Sequence, residues 1–262
     1  MEITGSTRVL MIAADPIAHV RTPQAMNALA ELRGANTIMV PCHVSSRDLP
    51  ALFTGLRGMQ SLDGIVVTAP HKLAAAALCD DLDSQAALVG AVNAVRRTAD
   101  GRLVGGTFDG RGFVAGLLAA GHEVRGRAVY LAGAGGAASA IAFALAEAGI
   151  SHLTIHNRTM TKAAALAERI SQRFPSVVAT AGSDRPTGVM LAVNGTSAGM
   201  KPDDRLPFQL GGLEPGAIVA EVVMQPEITP LLVSARERGL VIQPGKAMLD
   251  QQLTLIADFL LQ

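Results

Sequence analysis

Residues 133–138 have the types and spacing of a turn that receives a phosphate group. They read Gly133-Ala134-Gly135-Gly136-Ala137-Ala138, a G-x-G-x-x-A pattern between an apolar run and an alanine-rich segment. In such a strand–turn–helix unit the first Gly makes the tight turn and the second lets a pyrophosphate approach the backbone. The pattern predicts a dinucleotide site. The alternative, a plain glycine turn, is disfavoured by a second apolar strand at residues 152–156.

The end of that second strand indicates which dinucleotide binds. A site for NAD normally has an acid there to hold the ribose 2′-OH. The chain has no acid at these positions, which read Asn157, Arg158, Thr159 and, three residues on, Lys162. Arg binds phosphate through paired planar donors, so the segment favours the 2′-phosphate of NADP. The alternative is that Thr159 caps a helix and Arg158 is only solvated.

Lys72 and Asp109 are the candidates for acid–base chemistry. A dehydrogenase acting on an alcohol must remove the hydroxyl proton as the hydride leaves, which requires a proton acceptor. Lys72 follows an apolar strand and Pro70, at the predicted start of a helix, where the helix dipole favours the neutral amine. Asp109 would orient it. The alternatives are a solvated lysine and an ordinary N-cap aspartate.

The elements that position these residues alternate between strand and helix. Thr22-Pro23 predicts a helix start with an N-cap and Pro at the first helical position, and Asp100-Gly101 predicts a hairpin. The predicted strands are residues 8–14, 36–43, 64–68, 91–98, 102–107, 129–132, 152–156, 177–180, 189–193, 217–223 and 240–242. One predicted helix follows Thr22-Pro23 and ends at residue 33, and others cover residues 46–59, 80–89, 228–238 and 246–261. Asp109 is predicted to cap a further helix that ends at Ala120. Two more helices open at His71 and after the glycine turn.

This order predicts an α/β protein of two domains. Residues 1–107, with the C-terminal helix 245–262, would form a mixed α/β substrate domain. Residues 108–244 would form a Rossmann-type, doubly wound NADP domain. Because ligands bind at the carboxyl ends of strands, we expect Lys72, Asn93, Asp109, Asn194 and the loop from His19 to Pro23 around one cleft between the domains.

Composition excludes several classes of function. The chain has 262 residues and a formal net charge of zero, without the basic field that nucleic-acid binding needs. No apolar run reaches the length of a membrane span, and the N-terminus lacks the features of a secretory signal. Cys42 and Cys79 stand apart, and no histidine has metal-ligand spacing, so we expect a reduced cytoplasmic protein without a metal.

The motifs together resemble the shikimate dehydrogenase family, which includes quinate/shikimate dehydrogenases. The resemblance covers nearly the whole chain in order. It rests on eight motifs: Asp15-Pro-Ile-Ala-His19, Val67-Thr68-Ala-Pro70-His-Lys72, Gly90-Ala-Val-Asn93, Asp109-Gly110, Gly133-Ala-Gly-Gly-Ala137, Asn157-Arg-Thr159, Asn194-Gly-Thr-Ser197, and Met248-Leu249 with Gln252.

The resemblance implies an NADP-dependent alcohol dehydrogenase of aromatic amino acid biosynthesis, with Lys72 and Asp109 as its catalytic dyad. Substrate contacts would come from Val20, Thr22, Thr68, Asn93 and Gln252. Cofactor contacts would come from Gly133, Ala134, Gly135, Gly136, Ala137, Asn157, Arg158, Thr159 and Lys162. Val222 and Gly245 would lie by the nicotinamide, and Met248 is a further expected cofactor contact.

The sequence departs from the family at the anchor for the substrate carboxylate. The family usually has S-x-S or S-x-T in the first loop and a late Tyr, where this chain has Val20-Arg21-Thr22 and Met224. A family Asn in the third strand is Val66, and the two residues before the catalytic Asp are Thr107 and Phe108. Unless Arg21 compensates, two lost hydrogen bonds to a charged group predict a roughly 10²–10⁴-fold lower kcat/KM for shikimate.

Three hypotheses follow. The first is a dehydrogenase that interconverts shikimate and 3-dehydroshikimate or a close analogue, acting as a monomer or homodimer. The second is a dehydrogenase of the same fold for a different cyclic alcohol. The third is a nucleotide-binding regulator without turnover, which would have no use for Lys72 and Asp109.

Overall fold

The computed structural model describes residues 2–18, 20–201 and 203–261. The chain divides into two compact units. The first runs to Phe108 and takes in the C-terminal segment from Gln252, and the second is Asp109–Gln251. The last helix therefore contributes residues to both units.

The first unit is a mixed six-stranded sheet with helices, as the sequence predicts. The strand order is β2-β1-β3-β5-β6-β4. Strands β1, β2 and β3 are parallel, and β5 runs antiparallel to both β3 and β6. The elements are β1 Arg8–Ala14, α1 Thr22–Leu32, β2 Thr37–His43, α2 Leu49–Gly58, β3 Leu62–Val67, α3 Lys72–Leu78, β4 Asp81–Leu82, α4 Ser84–Val89, β5 Ala94–Arg97 and β6 Leu103–Gly106.

The second unit is an entirely parallel sheet in the Rossmann strand order. Its order is β12-β11-β10-β7-β8-β9, so the direction of winding reverses between β7 and β10. The elements are α5 Asp109–Ala119, β7 Ala128–Ala132, α6 Gly136–Glu147, β8 His152–His156, α7 Met160–Arg173, β9 Val178–Ala181, β10 Leu191–Asn194, β11 Ile218–Glu221, α8 Pro230–Glu237, β12 Val241–Gln243 and α9 Lys246–Leu260. The predicted fold class is confirmed.

Glycines allow the close packing of helices in this alanine-rich chain. A methyl group at Gly110 of α5 would lie 2.0 Å from the carbonyl oxygen of Ala140 in α6, so only Gly fits there. In the first unit, a methyl at Gly64 of β3 would lie 2.6 Å from Leu260 at the end of α9. Within the described ranges, no helix combines the length and apolar character that crossing a bilayer requires.

The outer edge of the first sheet is closed by one side chain. Strand β2 lies at this edge, and Met39 is its third residue. Asn27 of α1 accepts a hydrogen bond from the Met39 N–H (2.6 Å) and donates one to its carbonyl oxygen (3.1 Å). Pro41, two residues on, has no N–H to offer. The side-chain amide therefore takes the place of a neighbouring strand.

Local predictions were wrong at three helix starts. The helix predicted over residues 80–89 begins only at Ser84, because Asp81–Leu82 pair with β6 and Asp83 caps the helix through the Ala86 N–H (2.6 Å). Helix α2 begins at Leu49, after a turn in which Ser45 donates to Asp48 (2.8 Å). In α1 the N-cap is Arg21, so Thr22 is already helical.

Candidate active site

The turn after β7 is shaped by Gly133. Its φ of +115° is a conformation that residues with side chains rarely adopt. Its N–H donates to the His156 carbonyl oxygen at 2.7 Å, which fixes the end of β7 against the end of β8. A methyl at Gly133 would lie 3.0 Å from the Cβ of Ala138, the small residue that closes the G-x-G-x-x-A pattern. The fold itself therefore requires Gly at this position.

Gly135 and Gly136 face open space instead. A methyl at either position would meet no protein atom within 4 Å. Gly135 is the N-cap of the 12-residue helix α6 and provides no side-chain cap, so amides of the first turn are available to a ligand. Ala134 and Ala137 are half-buried beside them. The backbone of Gly135 and Gly136 forms a cradle that fits a pyrophosphate, because no side chain occupies the space beside it.

The end of β8 has the charge that a phosphate needs. Arg158, Thr159 and Lys162 are exposed, and Asn157 donates to the carbonyl oxygen of Thr159 at 3.0 Å. Thr159 occupies the N-cap of α7, as its alternative interpretation predicted, but its side chain makes no cap hydrogen bond. These residues suit a 2′-phosphate, and no carboxylate lies among residues 157–162 to repel it.

Three residues predicted to contact the cofactor, two of them by the nicotinamide, share one region of the second unit. A methyl at Gly245 would lie 2.8 Å from the carbonyl carbon of Val222, so only Gly lets these two segments approach. Met248 is buried, and its N–H donates to the Gly245 carbonyl oxygen at 3.1 Å. The N–H of Val222 donates to the Asn194 carbonyl oxygen at 3.1 Å, which ties this region to the end of β10.

In the first unit a short turn places Lys72. The N–H of Thr68 donates to the Ala13 carbonyl oxygen at 3.1 Å, and Ala69-Pro70 is a cis peptide. The N–H of His71 then donates to the Thr68 carbonyl oxygen at 2.9 Å, and Lys72 opens α3. The Lys72 side chain is half-buried, and its backbone carbonyl oxygen accepts from the Val92 N–H at 3.0 Å.

Asn93 joins this turn to the end of the hairpin. Its backbone accepts from the Val67 N–H at 2.8 Å and donates to the Gly106 carbonyl oxygen at 2.9 Å. Its side-chain Oδ1 accepts from the Phe108 N–H, also at 2.9 Å, and the residue is buried. Asp109 follows as the first residue of α5, so it lies in the first turn rather than capping the helix, and it too is buried.

The other predicted substrate residues are spread over the first unit. Val20 and Thr22 are half-buried at the start of α1, and Gln252 is buried in α9. A surface cavity of about 440 Å³ includes Val20 and Arg21, but none of Thr68, Lys72 and Asn93 lines it, so it is not the predicted reaction site. His19 lies outside the described residues. Lys72 and Asp109 belong to different units, and their pairing stays a prediction.

The structure also identifies a buried acid that the sequence interpretation missed. Glu221 ends β11 with no exposed surface, hydrogen-bonded to Asn194 and Thr229. Burial raises the pKa of its carboxyl group above the usual value. His71 is also buried, with Nε2 against the Val44 carbonyl oxygen at 2.9 Å. A single acid inside the apolar run 217–223 was the available signal for Glu221.

Comparisons with known proteins agree with this arrangement. The family model for the shikimate dehydrogenase substrate binding domain matches residues 12–95, and that for shikimate / quinate 5-dehydrogenase matches residues 118–180. The shikimate dehydrogenase (NADP(+)) of Rubrobacter xylanophilus is 41% identical over 95% of this chain and 89% of its own length.

Two solved structures are similar over almost the full chain. Shikimate 5-dehydrogenase from Listeria monocytogenes, in complex with shikimate and NAD, is 30% identical with a TM-score of 0.92, covering 100% of this chain and 94% of that one. Ligand-free 5-ketofructose reductase from Gluconobacter sp. strain CHM43 is 32% identical with a TM-score of 0.88, covering 97% and 93%. With its fold, its glycine turn and these relatives, the chain belongs to the shikimate dehydrogenase family of oxidoreductases.

Proposed function

We propose that the protein is an NADP-dependent dehydrogenase that interconverts shikimate and 3-dehydroshikimate. The observation that carries the proposal is the open glycine cradle, which is followed along the chain by the exposed cations Arg158 and Lys162. The chain that contains them is 41% identical to a shikimate dehydrogenase (NADP(+)). Gly135 and the first turn of α6 would hold the pyrophosphate, and Arg158, Thr159 and Lys162 the 2′-phosphate.

The proposed chemistry is reversible alcohol oxidation. When bound, NADP supplies the acceptor or donor of hydride at its nicotinamide ring. Lys72 takes the hydroxyl proton onto its amine as the hydride leaves the same carbon, and returns it to the oxygen in the reduction. Asp109 is proposed to orient that amine. The support for Lys72 is its fixed place at the start of α3. The turn that begins at Thr68 and the hydrogen bond from the Val92 N–H to the Lys72 carbonyl oxygen hold it there.

The remaining polar residues of the first unit would hold the ring hydroxyls. Asn93 is suited to this task because its backbone and Oδ1 are already bound, which fixes where its amide nitrogen points. Thr68 and Gln252 are proposed as further contacts. Fixed donors and acceptors select a hydroxylated substrate, because an analogue that lacks the hydroxyl leaves them unpaired.

A second candidate substrate is a neutral polyhydroxy ketone or alcohol. Two observations favour it: Val20 and Met224 stand where the family has hydroxyl side chains for a carboxylate, and the 5-ketofructose reductase of Gluconobacter has a TM-score of 0.88 to this chain. Apolar side chains at the anchor remove the preference for a charged group without affecting the acid–base residues.

We expect the enzyme to act in the reducing cytoplasm as a monomer or homodimer. Cys42 and Cys79 are both free thiols. Burial, the larger effect, and the neighbouring Asp80 raise the pKa of Cys79 to about 12, so its thiol is unreactive at neutral pH.

A steady-state assay that follows NADPH absorbance tests these proposals together. The panel is shikimate, quinate, 5-ketofructose and several cyclic alcohols, each with NADP(H) and NAD(H). Turnover of shikimate with NADP supports the first proposal, and turnover of 5-ketofructose alone supports the second. Binding of NADPH without turnover of any substrate would contradict both and favour a nucleotide-binding regulator.

A further inference from the structure

A buried polar network lies at the ends of β10 and β11 in the second unit. Asn194 and Glu221 are paired in register there, and both have 0% exposed surface. Glu221 Oε2 accepts from Thr229 Oγ1 at 3.0 Å and from Asn194 Nδ2 at 3.3 Å. Its other oxygen, Oε1, is buried and has no hydrogen-bond partner among the described residues. Keeping a carboxyl group here costs stability that an apolar side chain would not cost.

Asn194 fixes the loop that follows it, residues 195–199. Its Nδ2 donates to the Ala198 carbonyl oxygen at 2.9 Å, and its Oδ1 accepts from the N–H (3.0 Å) and hydroxyl (2.7 Å) of Thr196. Thr229 supports the far end of this loop, because a methyl at Gly199 would lie 3.2 Å from its side chain. Both partners of Glu221 therefore hold the 195–199 loop, one at each end.

The 195–199 loop lies directly against the glycine turn. The N–H of Gly195 donates to the Ala132 carbonyl oxygen at 2.8 Å. A methyl at Gly195 would lie 2.9 Å from the Cβ of Ala138, and a methyl at Gly133 would lie 3.1 Å from the Gly195 carbonyl oxygen. The loop thus touches the first and last small residues of the G-x-G-x-x-A pattern. Close packing leaves it no room to move without moving the turn.

We propose that Glu221 is a positioning residue for nucleotide binding. It fixes Asn194 and Thr229, they fix the 195–199 loop, and the loop holds the glycine turn in the shape that receives the pyrophosphate. This inference rests on the proposed NADP function. It separates Glu221 from the residues that touch the cofactor, and it explains why a carboxyl group is kept in an apolar strand.

The test compares NADPH affinity among three full-length variants. Glu221→Leu removes the acceptor for both Thr229 and Asn194, whereas Glu221→Gln keeps an acceptor oxygen in a side chain of the same size. Tyr130→Phe is the matched control, because it removes the part-buried bond from the Tyr130 hydroxyl to the Ser183 carbonyl oxygen (3.0 Å) in the same unit, and neither partner belongs to the 195–199 loop. NADPH dissociation constants come from fluorescence titration, and melting temperatures are measured on the same samples.

We expect Glu221→Leu to weaken NADPH binding by about tenfold or more, and Glu221→Gln to stay within about threefold of wild type. Tyr130→Phe should lower the melting temperature and leave the dissociation constant unchanged. If Glu221→Leu lowers the melting temperature as Tyr130→Phe does but binds NADPH like wild type, Glu221 is only structural and the inference is overturned.

A second pair of variants covers the case in which Glu221→Leu does not fold. Thr229→Val removes the hydroxyl group that donates a hydrogen bond to Glu221, and Thr229→Ser retains that group. We expect weaker NADPH binding in Thr229→Val alone, and equal affinity in the two variants would overturn the positioning role of Glu221. Absence of NADPH binding in the wild-type protein would instead overturn the proposed function, and the inference with it.

Discussion

Three glycine-to-alanine substitutions in the turn after β7 separate what the fold requires from what the cofactor requires. At Gly133 the φ of +115° and the 3.0 Å approach to Ala138 mean that a methyl group strains the folded protein. The cost of such a conformation is about 1–3 kcal/mol. For a unit of this size each kcal/mol lowers the melting temperature by about 2–4 °C.

Gly135→Ala has a different expected effect. Its φ of −87° is ordinary and no protein atom lies within 4 Å of the added methyl. The free energy of unfolding should fall by less than about 1 kcal/mol, the cost of a poorer N-cap. The methyl fills the space where the pyrophosphate approaches, and one lost hydrogen bond to a charged group weakens binding about 10–100-fold.

Gly136→Ala is the comparison within the same cradle, because its methyl also meets no atom within 4 Å but lies at a position that the pattern leaves variable. Its predicted cofactor contact is made by the backbone, which Ala retains. We expect NADPH affinity within about threefold of wild type and equal or higher stability, since Ala favours a helix by up to about 1 kcal/mol. The assays are thermal unfolding and NADPH titration. Equal losses of affinity in Gly135→Ala and Gly136→Ala, or a Gly133→Ala protein as stable as wild type, would refute the reasoning.

Three further predictions concern charge. Arg158→Ala should raise KM for NADP by about tenfold or more while KM for NAD changes little, and equal losses would contradict the 2′-phosphate role. Lys72→Ala should abolish turnover with NADPH affinity retained; surviving activity would mean that another group takes the proton. Because burial raises the folded-state pKa of Glu221 above 4.5, its contribution to stability falls as pH rises from about 4.5 through that pKa. The melting temperature of Glu221→Gln, relative to that of the wild type, should therefore rise over this pH range and become constant above it. A difference in melting temperature that does not depend on pH would contradict the prediction.

The parts of the fold that the sequence predicted are those that local chemistry determines. The hairpin formed around Gly101, whose φ is +84°, and the parallel sheet formed around a glycine turn whose φ and packing exclude other residues. The helix start at Ser84 had a local signal in Asp83, but the pairing of Asp81–Leu82 with β6 depends on residues 23 positions further along the chain and has no local signature.

The candidate site divides in the same way. The cofactor residues form one continuous strand–turn–helix unit, so their spacing alone identifies them. Glu221, Asn194 and Thr229 meet only when β10 and β11 come into register, and the one local signal for Glu221 is its place inside the apolar run 217–223. His71 is similar, since its partner Val44 lies on a different segment. The hydrogen-bond partners of such residues become visible only when the tertiary contacts are known.

The amide of Asn27 has a consequence for how the molecule meets its own copies. By occupying both backbone groups of Met39, it prevents an incoming chain from extending the ladder of β2, and Pro41 removes a further donor from the same edge. A row of unsatisfied backbone groups is the usual template for fibrils and swapped dimers. In this protein a single side chain, anchored on a neighbouring helix, blocks the addition of a strand at the β2 edge of the sheet.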